Sequence, residues 1–202
     1  MKAGRKRTFD KAEALDRATR VFWESGYSGT SLADLTTVLG INKPSLYAAF
    51  GNKEQLFSQA LDHYLKHYRA PTLELLTKPA EAPLRERLQR FLYAVIDVVA
   101  NPDTPQGCMF IKSCYESSGA AIPQTLNDSL QEIGLGYETV LTEILEAERQ
   151  NGQLTADADV ALIAGYLMSV MAGLSVQARN GKPKQAMQDI VDMVVESIPG
   201  VI

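Results

Sequence analysis

Cysteine and histidine are scarce: two of each in 202 residues. Two cysteines, Cys108 and Cys114, in a chain whose first 25 residues hold no apolar signal-peptide core read as thiols and not as a disulfide framework. His63 and His67 stand four residues apart and could share a metal on one helical face. No third histidine and no nearby cysteine joins them, so no metal and no cofactor is expected. A nucleophile elbow, a phosphate loop and a zinc signature are all missing, and carboxylates are scattered. An enzyme is therefore not expected, although a catalytic group inside an all-helical pocket would leave no such trace. Strand-like alternation of useful length and internal repeats are also absent.

Long apolar runs are missing save one. Val160 to Ala178 carries no charge and approaches the length of a bilayer span. It also holds Gly165, Tyr166, Ser169, Gly173, Ser175 and Gln177, and reads as a helix buried on most sides in a bundle. A cytoplasmic chain with no membrane partner is expected.

What is present is an ordinary globular balance, 46% hydrophobic and 22% charged, enough to build a substantial core. The net charge of −4 hides an asymmetry. Residues 1–69 carry 11 Lys/Arg against 7 Asp/Glu, whereas the rest of the chain carries 9 against 17. One part suits a polyanion and the other does not; uneven surface solvation is the plainer account of the same numbers.

Helical periodicity runs almost throughout. The expected helices are 10–25, 31–40, 43–50, 53–68, 84–100, 107–117, 123–150, 157–179 and 184–198, about nine in all. Pro71, the break over residues 77–83, Asn101 to Gly107, Gly119 to Pro123, Asn151-Gly152 and Asn180 to Pro183 punctuate them. The fold class is all-α: an N-terminal three-helix domain over 1–55, then a helical bundle over 56–202.

The segment from Ser31 to Phe50 has the physics of a helix-turn-helix. Leu32, Leu35 and Leu39 give its first helix an inward face, with Ser31 as cap and Asp34 in the capping-box position. Gly40 makes the turn, where a Cβ is expected to clash. Ile41 and Leu46 pin the second helix, which Pro44 opens, and its remaining side chains are small or polar enough to enter a major groove.

Gly26-Tyr27-Ser28-Gly29-Thr30-Ser31, Leu39-Gly40-Ile41-Asn42-Lys43, Leu46-Tyr47 and Phe50-Gly51-Asn52-Lys53-Glu54-Gln55-Leu56-Phe57 resemble, in order and spacing, the DNA-binding signature of the TetR family. The resemblance covers about residues 8–60; beyond it the chain is similar only in length and helical character. Thr36 stands where a small alanine is usual, Pro44 where glycine or alanine is, and Ala48 and Ala49 where larger residues are. These departures bear on which operator is read more than on whether one is bound. The resemblance implies a transcriptional repressor that binds double-stranded operator DNA as a homodimer and is released by a small-molecule inducer. A sequence-nonspecific architectural DNA binder is the rival among nucleic-acid readings.

Arg5, Lys6 and Arg7 form a basic arm for phosphates or a minor groove, or else a solvated terminus. Thr30 and Ser31 sit where a helix N-terminus meets a phosphate. Asn42, Lys43 and Ser45, beside Pro44, begin the reading helix and are candidates for base edges, and Ala48 could touch a thymine methyl. The resemblance adds Tyr47 and Lys53 as phosphate contacts.

So short a reading helix needs a second copy on a twofold axis, about 34 Å away. Ala161, Gly165, Ser169 and Gly173 recur every fourth residue as a stripe of small side chains. Met187, Ile190, Val194 and Ile198 form an apolar stripe on the last helix. The resemblance implies that these two helices form a four-helix interface between protomers. Candidate lining for an effector pocket is Phe91, Tyr93, Met109, Phe110, Tyr115, Tyr137, Met168 and Met171, although such stripes also build plain core. Cys108, at a helix N-terminus, is a candidate sensor of oxidants or electrophiles, or a small buried hydrophobe.

Overall fold

A computed structural model of the chain describes residues 10–117 and 122–202. Among the described residues ten α-helices follow one another: α1 (Lys11–Ser25), α2 (Leu32–Leu39), α3 (Lys43–Phe50), α4 (Lys53–Tyr64), α5 (Ala70–Thr77), α6 (Leu84–Val99), α7 (Met109–Ser117), α8 (Gln124–Gln150), α9 (Val160–Arg179) and α10 (Lys184–Ser197). A single π-helical turn, Leu65–Arg69, joins α4 to α5. The sole pairing of extended backbone among the described residues is an isolated bridge between Leu154 and Val201.

Local chemistry starts the helices. Side-chain oxygens of Asp10, Ser31, Asn42, Asn52 and Asp159 accept from the first backbone N–H groups of α1, α2, α3, α4 and α9. The capping box of Ser31 and Asp34 forms in both directions, and Asn52 and Gln55 make a second. Hydrogen bonding from Ser31 holds the Asp34 carboxyl below its ordinary value.

The fourth helix departs from expectation. The sequence pattern ends it before Pro71, whereas the chain stays helical to Thr77. The π turn explains this. The Ala70 N–H reaches back five residues to the Leu65 carbonyl, and the proline falls in the first turn of α5, where its missing N–H is not needed. The expected boundary after residue 55 falls near the start of α4.

α1, α2, α3 and the start of α4 form a small head. Trp23, Phe22, Leu35, Leu46, Phe50 and Phe57 are its buried centre, with Phe22 and Tyr27 meeting Phe57 edge-on at 5.1 and 5.2 Å. α6 is the axis of the body, burying Leu88, Phe91, Leu92, Val95, Ile96 and Val99. Such burial contributes on the order of 1.5–3 kcal/mol per large side chain. α5 and α10 pack on α6, and α8 packs on α9. α9 is the one described helix long and apolar enough to cross a membrane; its Ile163, Leu167, Met171 and Leu174 are buried inside the bundle.

Candidate DNA interface and effector region

In α3 the anchoring and free faces separate cleanly. Leu46 and Phe50 are buried, while Asn42, Lys43, Pro44, Tyr47 and Ala48 are exposed and Ser45 is half-buried. Asn42 holds the helix start by accepting from the Ser45 N–H at 2.9 Å. The Lys43 ammonium lies 5.8 Å from the Tyr47 ring centroid, so a cation and a phenol stand together on the outer face. Ser31 is exposed at the start of α2. Lys53, half-buried, places its ammonium over the Tyr27 ring at 4.2 Å. Desolvation lowers its pKa, partly opposed by Glu116.

Thr30 and Gly40 act through physics other than that expected of them. Thr30 is buried, and its hydroxyl donates to the Gly26 carbonyl at 2.6 Å, so its side chain is not presented to a phosphate. Gly40 has φ +65° with nothing within 4 Å of an added Cβ. The glycine is required by the left-handed backbone and not by a clash. Arg5 and Arg7 lie outside the described residues.

The head is tied to the body by contacts that sequence patterning does not reveal. Trp23 Nε1 donates to the Gly107 carbonyl at 2.8 Å. The Tyr27 N–H donates to Glu116 Oε2 at 2.8 Å, and Arg20 Nη1 donates to the Asp103 carbonyl at 2.8 Å. α1 is thus held against α7 and the loop before it. His63 lies 3.3 Å from Asp16 of α1, and its ring is tilted 41° to that of His67, centroids 4.2 Å apart. No group of three or more potential metal ligands occurs among the described residues.

Cys108 immediately precedes α7 and is buried; its N–H donates to Ser175 Oγ at 2.8 Å. Its sulfur lies 3.8 Å from Arg69 Nη1. Cys114 is half-buried, and burial, with a smaller contribution from Cys108, pushes its thiol up to about 11. A cavity of about 330 Å³ is lined by Cys108, Ile111, Tyr115, Ser175 and Arg179 among others. A groove of about 390 Å³ runs between α4, α5 and α8 over Leu65, Arg69, Leu73, Ile133 and Tyr137. A space of about 20 Å³ adjoins it, with Phe110, Met168 and Met171 in its wall.

Of the candidate pocket residues, Phe110, Tyr137, Met168 and Met171 therefore converge, and Tyr115 and Cys108 line the first cavity. Phe91 and Met109 do not take part: both are completely buried in the core. Tyr93 turns away, its hydroxyl donating to Asp192 of α10 at 2.7 Å. Arg69, which holds the centre of this region, carries no signal in the sequence, since nothing local marks an arginine for burial.

The two apolar stripes near the C-terminus also divide. On α9, Ala161, Ser169 and Gly173 are exposed and Gly165 half-buried, flanked by exposed Leu162, Tyr166 and Val176. On α10 and at its C-cap, Met187, Val194 and Ile198 are buried within their own chain and Ile190 is half-buried, while Met193 is 74% exposed. The expectation that places the first three between protomers is corrected: α10 turns them inward onto α6 and α9 instead.

Comparison with known proteins gives a consistent picture. Residues 14–60 match the model of bacterial regulatory proteins of the tetR family, and residues 85–194 match the tetracyclin repressor-like C-terminal domain. The chain is 31% identical over 199 residues to the HTH-type transcriptional repressor ComR of Escherichia coli, covering 98% of this chain and 93% of that one. It is 29% identical to the repressor BdcR of the same organism, covering 98% and 94%. Among solved structures, a cysteine mutant of the TetR family regulator CifR, complexed with a 26-base-pair operator duplex, superposes with a TM-score of 0.88. That pair shares 33% identity over 96% of this chain and 100% of the other. With its α2–α3 helix-turn-helix and its helical body, the chain belongs to the TetR family of DNA-binding transcriptional regulators.

Proposed function

We propose that this regulator is a cytoplasmic repressor that binds a palindromic operator as a homodimer and releases it when a small molecule occupies the body. The observation that carries the reading is α3: eight residues, anchored by Leu46 and Phe50, with Asn42, Lys43, Pro44, Tyr47 and Ala48 turned outward. Ser31, Ser45 and Lys53 stand beside this face; Lys53 reaches a phosphate by leaving the Tyr27 ring. The repressor names of ComR and BdcR and the operator-bound CifR support it. Residues 1–55 serve as the reading domain and 56–202 as the effector and dimerisation domain. The function is regulatory, not enzymatic.

The second copy covers the outer face of α9 and α10. Leu162 is 65% exposed and Met193 74%. Beside Tyr166 and Val176 they leave an apolar patch, and the Ala161, Gly165, Ser169 and Gly173 stripe allows a close helix approach. The test is selection from random duplexes at physiological salt. A two-half-site palindrome is expected; no enriched sequence, with binding that depends only on salt, would refute it.

A second reading has a specific observation behind it. Cys108 stands at the start of α7 with a guanidinium 3.8 Å from its sulfur and lines the 330 Å³ cavity, where a small reagent would meet it. Oxidation or alkylation of Cys108 would then release the operator. Loss of binding after mild peroxide in the native chain but not in Cys108→Ala supports this reading; equal behaviour of the two removes it.

A further inference from the structure

Among the described residues two arginines are buried, and the fold treats them oppositely. Arg87 has no exposed surface, and its guanidinium is met by both oxygens of Glu148, at 2.8 and 2.5 Å, and by the carbonyls of Leu76 and Ala82. Arg69 is only 7% exposed, yet among the described residues no carboxylate forms an ion pair with it. Its nitrogens face two sulfurs, Cys108 Sγ at 3.8 Å and Met171 Sδ at 3.7 Å, and its guanidinium carbon lies 4.9 Å from the Tyr137 ring centroid. Sulfur is a weak acceptor, and a buried cation without an anion is costly.

Two further buried hydroxyls stand close by, those of Tyr64 and Tyr137. Neither makes a well-aligned hydrogen bond; Cys108 approaches the first, Arg69 and Thr72 approach the second, and both tyrosines feel the charge of Arg69. The Arg69 guanidinium and the Tyr137 phenol thus meet on the floor of the 390 Å³ groove with no carboxylate paired to the cation, beside aliphatic Leu65, Leu73, Ile133 and Val140; Tyr64 is fully buried and does not line the groove. Arg69 also ends the π turn between α4 and α5, a distortion that places its side chain in the body while its backbone continues the helix that starts in the head.

We propose that the effector of this regulator is an amphiphilic anion, a carboxylate on an apolar body, whose carboxylate pairs with Arg69 while the apolar part lies along the groove. This rests on the reading of the body as an effector domain and names the class of effector and the residue that recognises it. Asp62 and Lys66 line the same groove nearer its mouth, so the fixed positive charge at depth is that of Arg69.

The experiment uses the full-length protein and matched probes: octanoate with octanamide, and 4-phenylbutyrate with its amide. Trp23, the only tryptophan, contacts the Tyr64 ring at 4.7 Å, so its fluorescence reports on the site; calorimetry provides the affinity. The carboxylates are expected to bind saturably and about 10–100-fold more tightly than the amides, the factor of a charge-assisted hydrogen bond. Arg69→Met should erase that preference and Arg69→Lys should retain part of it. Ligand-free Arg69→Met should melt no lower than the native chain, since it removes an unpaired buried charge.

Equal binding of amide and carboxylate overturns the proposal, as does a preference that survives Arg69→Met. So does the lack of saturable carboxylate binding in the millimolar range. Carboxylate binding seen only in Cys108→Ala also overturns it, because the Cys108 side chain would then occupy the place of the ligand at Arg69 in the native chain. A large loss of melting temperature in ligand-free Arg69→Met, restored by Arg69→Lys, makes Arg69 structural and overturns it too. Operator release by uncharged apolar compounds is scored separately: release by these alone sinks the anion and leaves the effector domain standing.

Discussion

Glu148→Leu is the most informative single perturbation of the body. It leaves the Arg87 guanidinium, with no exposed surface, facing an aliphatic side chain. The carbonyls of Leu76 and Ala82 still accept from it, but its charge is uncompensated. Breaking a buried pair from one side costs about 3–5 kcal/mol, which for a chain of this size lowers the melting temperature by roughly 6–20 °C. Arg87→Met takes this donor from the carboxylate and from the carbonyls of Leu76 and Ala82 and should also destabilise. The double variant restores electrical balance and retains only the cost of unmet carbonyls, about 1–3 kcal/mol. The cycle, measured by chemical denaturation at one fixed protein concentration because a dimer's stability depends on it, should show a coupling of at least ~2 kcal/mol. Single effects that simply add, to within ~0.5 kcal/mol, would refute the view that this pair is a charge-compensated unit.

The other predictions test the head and surfaces. Lys43→Ala with Tyr47→Ala should abolish operator binding in fluorescence anisotropy while sedimentation still shows a dimer; normal binding removes α3 from the reading role. Gly40→Ala should cost about 1–2 kcal/mol through its positive φ alone, and Gly40→Asn less; a much larger loss would reveal a clash that the open space around Gly40 does not contain. Leu162→Asp with Met193→Asp should convert the dimer to monomer on size exclusion, and a persistent dimer would move the interface elsewhere. Cys114, with its thiol pushed up to about 11, should be only about 0.1% thiolate at pH 8. Its alkylation by iodoacetamide should therefore be slow and accelerate as pH rises toward that value; rapid labelling at neutral pH, read by mass spectrometry, would contradict the burial.

What is legible in the sequence is what is decided locally. The start of α2 is readable because Ser31 and Asp34 cap it within three residues of each other; α9, expected from 157, starts only at Val160, after its Asp159 cap. The helix-turn-helix is readable because Leu32, Leu35 and Leu39 repeat at helical spacing before Gly40, with Ile41 and Leu46 beyond it. Pro71 misleads because whether a proline breaks a helix depends on the turn before it, and a π turn has no strong local code. Met187, Val194 and Ile198 announce burial correctly, but periodicity states that a face is covered and not which chain covers it. Trp23 and Arg69 are silent for a related reason: their partners, Gly107 and Cys108, lie 84 and 39 residues away.

Those long-range contacts suggest how the two halves communicate. α4 is one link, since it begins in the head and runs through the π turn to Arg69. α7 is the other, and it closes a loop. Trp23 of α1 is bonded to Gly107; the next residue, Cys108, touches Arg69; and Cys108 is held by Ser175 of α9. An occupant that draws Arg69 away from Cys108 therefore acts on both links at once, through the backbone of α4 and through the start of α7 against which α1 rests. A rigid-body shift of the head follows without any change inside α2 and α3, whose buried Leu35, Leu39 and Leu46 resist repacking. The Trp23–Gly107 bond cannot be removed without altering packing, but Tyr27 offers a cleaner cut. Glu116→Gln keeps the acceptor for the Tyr27 N–H and weakens only its charge, whereas Glu116→Ala removes the link. If α7 carries the signal, Glu116→Ala should leave operator affinity nearly intact and blunt its response to effector, with Glu116→Gln close to the native chain. An undiminished response in Glu116→Ala would assign the transmission to α4 alone.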